Sequence, residues 1–299
     1  METRRALLVD AFADEPMAGN PAGVVPDADG LTDRQMQAVA GELGASETAF
    51  VRESDAADLR LRYFTPETEV DLCGHATVAA LLHLRERGRI ADGERTVETN
   101  QRRLDVSVDE ETAWLTTGEP DLREVDLDRG TVADALGIDV AALEDVGADL
   151  PLVRGSVGVG FLLVPVNYFE HLRDADPDQR AVEALADDVD ATGVYPFTFD
   201  TLAPDATLHG RAFAPGAGIP EDPVTGTASA VVAGYLRRYG ALDADVAEVV
   251  CEQGHFLDRP GRVRVDVREA AVRVGGRAVT ALDGDLAVPS DDGDDIIEA

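Results

Sequence analysis

Two loops in this sequence place ionisable side chains beside a glycine. The first contains Cys73, Gly74 and His75, and the second runs from Asp222 to Thr227. Thiol, imidazole and carboxylate groups are the side chains that carry protons in acid–base catalysis. Each loop precedes a helix-like run, and the start of a helix presents N–H groups and a positive dipole end that bind carboxylates. We therefore expect the two loops to face each other and to bind one small carboxylate.

The two loops occupy equivalent positions in an internal repeat. Residues 62–66 (RYFTP) recur as residues 211–215 (RAFAP), and each copy closes a strand-like run. In both copies, the glycine that starts the helix (Gly74 or Gly226) lies 14 residues before the glycine that ends it. Arg residues in the last turn and a glycine just beyond are typical of a helix end. The repeated order of strand, loop, helix and strand indicates a duplication.

The elements that must position these loops predict an α+β fold. The helix after each loop is rich in Ala, Val and Leu on nearly every face, which is typical of a helix enclosed by sheet. Residues 104–108 and 263–267 alternate apolar and polar side chains, as antiparallel strands with one buried face do. We expect two pseudo-repeated lobes, each a mostly antiparallel sheet wrapped around a central helix.

The composition is strongly acidic and argues against several classes of partner. The chain has 59 Asp and Glu residues against 26 basic residues, all of them Arg, and a formal net charge of −33. Such a surface repels phosphate backbones and anionic lipids, so no nucleic-acid or membrane partner is expected. We interpret the Lys-free acidity as adaptation to a high-salt cytoplasm in a halophilic organism. Ordinary acidity, with Arg favoured by GC-rich coding, is the alternative.

The sequence also predicts where the protein resides. The apolar run after Arg4 and Arg5 is too short for a signal-peptide core, and no stretch has the length of a membrane span. Two cysteines, Cys73 and Cys251, are too few for a disulfide framework and fit a reducing compartment. The expected location is the cytoplasm.

Seven short motifs of this chain occur together in one known family: VDAF at 9–12, AGNPA at 18–22, SETAF at 46–50, FTP at 64–66, LCGHAT at 72–77, EDPVTG at 221–226 and EQG at 252–254. As a set they resemble the phenazine-biosynthesis PhzF-like family, from about residue 7 to residue 286. The resemblance implies a diaminopimelate-epimerase-like fold and a homodimer. It also implies a cofactor-independent isomerase, and the characterised branch of the family acts on a dihydro-hydroxyanthranilate.

The resemblance further implies roles for individual residues. The family's Ser-Glu-Thr motif carries the proton-transferring Glu, which here is Glu47. The matching His and Asp are His75 and Asp222, which would hold the substrate's amino or hydroxyl groups or relay the proton. The positions that bind substrate are Asn20, Ser46, Cys73, Gly74, Thr225, Gly226 and Thr227.

Each of these roles has a plainer alternative. Glu47 could be a surface charge on a strand, although the residues that follow it are apolar. His75 could simply cap its helix, and Asp222 could satisfy a helix dipole. A proton shift between carbons without a cofactor needs a group that takes a proton and returns it nearby, and a partly buried Glu suits that task.

Domain boundaries follow from the repeat and the resemblance together. We expect an N-terminal lobe of residues 1–122, a linker near residues 119–129 and a C-terminal lobe of residues 123–286. As in the family, the last strand, near residues 277–288, is expected to cross back to the first lobe. Residues 287–299 form an Asp-rich segment that is typical of a disordered tail.

Two other functions stay open. Diaminopimelate epimerase inverts one centre with two cysteines, and Cys73 resembles the first of them, but its repeat counterpart Thr225 is far too weak an acid to replace a thiol. Cys251 lies in an apolar run and is expected to pack in the core. A protein that binds a metabolite without catalysis is the second alternative. The remaining histidines lack metal-ligand spacing, so neither a metal nor a cofactor is predicted, and the motifs do not specify the substrate.

Overall fold

The computed structural model describes residues 2–144, 146, 149–243 and 245–290. The chain forms two compact units. Unit 1 contains the chain up to Ala11, Pro21–Ala113 and the segment from Ala278 onward, and unit 2 contains Phe12–Asn20 and Trp114–Arg277.

These units differ in two places from the lobes expected from the sequence. The expected boundary lay near residue 122, whereas the change of unit occurs between Ala113 and Trp114. The strand that begins at Ala113 pairs with Arg273–Gly276, which accounts for this earlier boundary. Phe12–Asn20 was expected in the first lobe and belongs to unit 2.

The helices and strands follow in chain order. The first part of the chain forms β1 (Glu2–Ala11), β2 (Asn20–Val25), α1 (Asp33–Leu43), β3 (Glu47–Arg52), β4 (Leu59–Phe64), β5 (Glu69–Val70), α2 (Gly74–Glu86), β6 (Gly93–Glu98) and β7 (Arg103–Val108). The second part forms β8 (Ala113–Thr116), β9 (Asp121–Glu124), α3 (Arg129–Leu136), β10 (Val153–Ser156), β11 (Gly160–Pro165), α4 (Phe169–Asp174), α5 (Gln179–Asp188), β12 (Gly193–Thr198), β13 (Leu208–Gly210), β14 (Ala212–Ala214), β15 (Ile219–Asp222), α6 (Gly226–Arg238), β16 (Glu248–Gln253), β17 (Gly261–Asp266), β18 (Arg273–Gly276) and β19 (Ala278–Val288). Short 3₁₀ turns span Val140–Leu143, Pro215–Ala217 and His255–Leu257.

Unit 1 has a mostly antiparallel sheet with two parallel pairs. Strand β1 pairs with β2 on one side and antiparallel with the last strand, β19, on the other. Next, β2 and β3 run parallel, β3 and β4 antiparallel, β4 and β6 parallel, and β6 and β7 antiparallel. The last strand therefore belongs to the sheet of unit 1.

Unit 2 repeats this order of pairings. Strands β11 and β12 run parallel, β12 and β13 antiparallel, β13 and β16 parallel, and β16 and β17 antiparallel. Antiparallel pairs extend the sheet through β9 and β10 at one side and through β18 at the other. Both units thus share one topology, and the α+β fold with two repeated units is confirmed.

Each unit contains one buried helix. All nine residues from Ala76 to Leu84 in α2 are buried, and so are all residues from Ala228 to Leu236 in α6 except Gly234. A helix that is apolar on every face is stable only where other parts of the protein surround it. The sequences of α2 and α6 fit such a buried position. The helices start at equivalent places, because Cys73 and Thr225 are their respective N-caps, both in extended conformation.

The last strand reaches into the segment that was predicted to be a disordered tail. Residues 287 and 288 end β19, while residues 291–299, which make up most of the predicted acidic tail, lie outside the described residues. Among the helices that the structure describes, none is long and apolar enough to cross a membrane.

Candidate active site

Glu47 and His75 lie in contact in unit 1. Glu47 is the first residue of β3 and is placed by the parallel register with β2, in which it pairs with Ala22. His75 is the second residue of α2, and its Nε2 lies 3.4 Å from Oε2 of Glu47. The Oγ of Ser46 lies 3.3 Å from the same nitrogen. A carboxylate and an imidazole are therefore poised to exchange a proton.

Cys73 completes this cluster through its sulfur atom. Its Sγ lies 3.3 Å from Nδ1 of His75 and 3.9 Å from Nε2. The exposed fraction falls from 21% for the Glu47 side chain to 13% for the His75 side chain, and Cys73 is 8% exposed. The three groups are shielded from bulk water, yet Glu47 and His75 remain reachable by a small molecule.

Buried hydroxyl groups hold the start of α2 in place. Thr77 Oγ1 donates to the carbonyl oxygen of Cys73 at 2.6 Å and lies 2.7 Å from the hydroxyl of Tyr63. Burial raises the pKa of Tyr63 well above its usual range, so its hydroxyl stays protonated. In unit 2, Ser229 Oγ donates in the same way to the carbonyl oxygen of Thr225. The duplication has kept this anchor at both helix starts.

The close approach of β2 to Thr48 fixes the position of Glu47. Gly23 pairs with Thr48 across the parallel strands. A Cβ atom on Gly23 would lie 2.3 Å from Thr48 Oγ1 and 2.9 Å from its Cγ2, far inside van der Waals contact. Only glycine fits there, and any larger residue would displace the strand that begins with Glu47.

Asp222 is the centre of a second cluster, in unit 2. Its Oδ1 accepts a hydrogen bond from Asn20 Nδ2 at 2.9 Å, and its Oδ2 accepts one from Thr225 Oγ1 at 2.5 Å. Asn20 Nδ2 also donates to the carbonyl oxygen of Val224 at 2.9 Å. The carboxylate is therefore held in one orientation beside the start of α6, where Gly226 and Thr227 are the first two residues.

Gln253 is a residue of this cluster for which sequence analysis gave no role. It is buried, and its Nε2 donates to the carbonyl oxygen of Asp222 at 2.7 Å and to Thr225 Oγ1 at 3.0 Å. Its Oε1 accepts from the backbone N–H of Thr225 at 3.1 Å. The EQG motif at 252–254 was the signal that could have identified it.

The predicted site residues thus form two groups. Ser46, Glu47, Cys73, Gly74 and His75 lie together in unit 1, and Asn20, Asp222, Thr225, Gly226 and Thr227 lie in unit 2. The first group offers acid–base chemistry. The second offers an oriented carboxylate and, at the helix start, N–H groups without an acceptor inside the helix.

Two units of one topology, each with a buried helix, define a diaminopimelate-epimerase-like fold. A hydroxyproline epimerase from Agrobacterium vitis, only 15% identical, shares this fold with a TM-score of 0.60 over 95% of this chain and 92% of its own.

The family is defined by closer comparisons. The profile described as phenazine biosynthesis-like protein, PhzC-PhzF, matches residues 9–284, and this chain belongs to that family. The uncharacterized isomerase YfhB of Bacillus subtilis is 40% identical over 92% of this chain and 94% of its own length. The uncharacterized isomerase YddE of Escherichia coli K12 is 34% identical over 94% and 97%. The crystal structure of a PhzF-family phenazine biosynthesis protein from Bacillus anthracis, 34% identical, superposes with a TM-score of 0.88 over 96% of this chain and all of that one.

Proposed function

We propose that this chain is a cofactor-independent isomerase that shifts a proton within a small amino or hydroxy acid. The observation that carries the proposal is the 3.4 Å contact between Glu47 Oε2 and His75 Nε2, in a cluster that is shielded but reachable. The isomerase names of the relatives from Bacillus subtilis and Escherichia coli support the same class of reaction.

Glu47 is the proton shuttle in this proposal. Its carboxylate takes a proton from an acidic C–H of the substrate, and the electron pair left behind is delocalised into the adjoining unsaturated system. The proton then returns to a second carbon, either from Glu47 or through His75, so that no net proton is lost. Acid–base catalysis by a positioned side chain contributes about 10²- to 10⁴-fold to such a step.

Asp222 is a substrate-binding residue in this proposal. Asn20 and Thr225 donate to the Asp222 side chain and orient its carboxylate. A carboxylate accepts hydrogen bonds from donors such as a substrate amino or hydroxyl group. The N–H groups at the start of α2, in the same unit as Glu47, suit the substrate carboxylate.

A two-thiol epimerase is less well supported. The residue equivalent to Cys73 at the start of α6 is Thr225, and its hydroxyl donates to Asp222. A hydroxyl group committed to a carboxylate acceptor cannot also act as the second acid. The cluster of Glu47, Cys73 and His75 therefore favours a carboxylate-driven proton shift.

The test is solvent deuterium exchange. Candidate cyclic amino acids, beginning with dihydro-hydroxyanthranilates, are incubated with the protein in D₂O and analysed by mass spectrometry and NMR. We expect deuterium at the carbon of the product that receives the proton, and we expect Glu47→Gln to slow its incorporation by about 100-fold or more while ligand binding persists. Glu53→Gln, an exposed carboxylate just beyond the same strand, is the matched control and should exchange like the unchanged protein.

Two results would contradict the proposal. Full exchange by Glu47→Gln would remove Glu47 from the reaction. A ligand that binds by calorimetry but never exchanges a proton would instead favour the metabolite-binding alternative.

A further inference from the structure

The cluster in unit 1 combines three different metal-ligand types. Glu47 offers a carboxylate oxygen, Cys73 a sulfur and His75 a ring nitrogen, and these three donor atoms lie within 4.8 Å of one another. Thiolate, imidazole and carboxylate together are the ligand set that zinc prefers, whereas magnesium prefers oxygen ligands alone. We infer that Glu47, Cys73 and His75 form a binding site for a soft divalent cation such as Zn²⁺, which competes with the proton shift.

The separations approach those of a zinc site. Bonds of about 2.0 to 2.3 Å in tetrahedral geometry place neighbouring ligand atoms about 3.3 to 3.6 Å apart. The observed distances from His75 Nε2 are 3.4 Å to Glu47 Oε2 and 3.9 Å to Cys73 Sγ. The remaining carboxylate-to-sulfur distance lies within 4.8 Å, so a shift of at most about 1.2 Å brings it into the same range.

The location distinguishes this cluster from the acidic surface. Two secondary-structure elements supply the ligands, since Glu47 begins β3 and His75 lies in the first turn of α2, next to its N-cap Cys73. Rigid elements hold ligands in place better than loops do. All three groups are also mostly shielded from solvent. Three protein ligands leave a fourth position for a water molecule or a small ligand, the arrangement of zinc sites that are not purely structural.

Bound zinc would block the acid–base chemistry. On binding, the Cys73 thiol releases its proton to the buffer, and the metal takes up lone pairs of His75 and Glu47. Those lone pairs are the ones that the proton shift requires. Zinc is therefore an inhibitor of the proposed reaction, and a chelator would reverse the inhibition.

The test measures metal binding without any substrate, so it is independent of the proposed isomerase activity. Zn²⁺ binding is measured by calorimetry in excess Mg²⁺, which occupies the carboxylates of the acidic surface. Co²⁺ is then used as a spectroscopic probe, because a cobalt–thiolate bond gives a charge-transfer band. We expect one Mg²⁺-resistant Zn²⁺ per chain and a thiolate band with Co²⁺.

Variants identify the ligands. We expect Cys73→Ser to abolish the Co²⁺ band and to weaken Zn²⁺ binding by about 100-fold or more. His75→Gln, a second variant of the same cluster, should weaken binding to a similar extent. Cys251→Ala is the matched control and should bind both metals normally, because Cys251 is buried in unit 2 and burial raises the pKa of its thiol to about 12.

Three outcomes would overturn the inference: no thiolate band in the unchanged protein, a band that survives Cys73→Ser, or Zn²⁺ binding that excess Mg²⁺ abolishes. An inactive protein that still binds Zn²⁺ through Cys73 would contradict the proposed function alone. An active isomerase without this binding would contradict the metal site alone.

Discussion

Cys73 and Thr225 show how one backbone position took on two chemistries. Each is the N-cap of a buried helix, and each backbone carbonyl accepts a hydroxyl donor one turn later. The Cys73 sulfur lies against the imidazole of His75, whereas the Thr225 hydroxyl donates to Asp222. The thiol belongs to an acid–base cluster and the hydroxyl positions a carboxylate. The two repeats therefore use the same backbone position for different chemistry.

Gln253 is expected to act as a positioning residue. Gln253→Ala removes three hydrogen bonds to Asp222 and Thr225, so Asp222 should lose its fixed orientation. We expect KM in the deuterium-exchange assay to rise about tenfold, equivalent to about 1.4 kcal/mol, with a smaller change in kcat.

Ser229→Ala is the matched control for Gln253→Ala. It removes the buried hydrogen bond to the Thr225 carbonyl at the same helix start. It should lower the melting temperature but leave KM unchanged. An equal rise in KM for both variants would mean that Gln253 acts only through stability.

The difference between Glu47 and Gln253 shows which site residues a sequence can reveal. Glu47 and His75 were predicted through the resemblance of their short motifs to a known family, and their roles stay predictions. Gln253 has no acid–base chemistry of its own, and its role depends on contacts with residues 28 and 31 positions earlier in the chain. Such a contact depends on how β16 packs beside the start of α6. No local pattern encodes that packing.

At the scale of elements, an arginine in each unit forms an ion pair that links the segment before the buried helix to the sheet. Arg62 donates to both carboxylate oxygens of Glu69 and lies 5.2 Å from the ring centre of Phe64. Arg211 makes the same pair of bonds to Glu221, next to Asp222, and lies 4.9 Å from the ring centre of Phe213. The repeated RYFTP and RAFAP segments predicted the strands, and the ion pairs explain why their arginines recur.

The boundary between units was harder to predict than the repeat. Helix ends and strand alternation are local signals, and they located α2 and α6 closely. The assignment of Phe12–Asn20 to unit 2 depends instead on hydrogen bonds such as that from Asn20 to Asp222, 202 residues apart. The local periodicity of a sequence gives no signal for a hydrogen bond between residues so far apart in the chain.

Arg62→Gln should destabilise unit 1 in a pH-dependent way. Hydrogen bonds from Arg62 lower the pKa of Glu69 and of Asp33 below their usual values. A lowered folded-state pKa adds stability above the unfolded-state value, near pH 4, and this stability is lost as the pH falls through the folded-state pKa. We expect a loss of about 1–2 kcal/mol at pH 7, measured by urea unfolding, and a smaller difference from the unchanged protein below about pH 4.

The control for Arg62→Gln lies on the same strand. Arg60 pairs with Glu98 but is about one-third exposed, so Arg60→Gln should cost less than about 1 kcal/mol. A loss for Arg62→Gln that stays constant from pH 7 to pH 3 would show that packing, rather than the charge pair, accounts for it.

At the scale of the whole molecule, the dominant feature is charge. The 59 Asp and Glu residues outnumber the 26 Arg residues by 33, and the sequence has no lysine, so one-to-one ion pairs cannot offset the acidic charge. Partly exposed ion pairs, such as Arg264 with Glu248, contribute little to stability. The unpaired acidic groups repel one another across the surface. The high-salt cytoplasm and the homodimer inferred from the sequence stay predictions.

Salt should therefore stabilise this protein. Screening shortens the reach of surface charges from about 10 Å at 0.1 M salt to about 3 Å at 1 M, which relieves repulsion in the folded state. We expect the melting temperature to rise by about 5 °C or more between 0.1 M and 2 M KCl, or about 2 kcal/mol for a chain of this size. Calorimetry at pH 8 measures the rise.

The control is the same salt titration at pH 5, nearer the isoelectric point of about 4.2. The rise in melting temperature should be smaller there, because fewer ionised carboxylates repel one another. A melting temperature independent of KCl at pH 8 would contradict the interpretation of the acidic surface as a high-salt adaptation, and an equal rise at both pH values would assign the effect to salt exclusion from the protein surface rather than to charge.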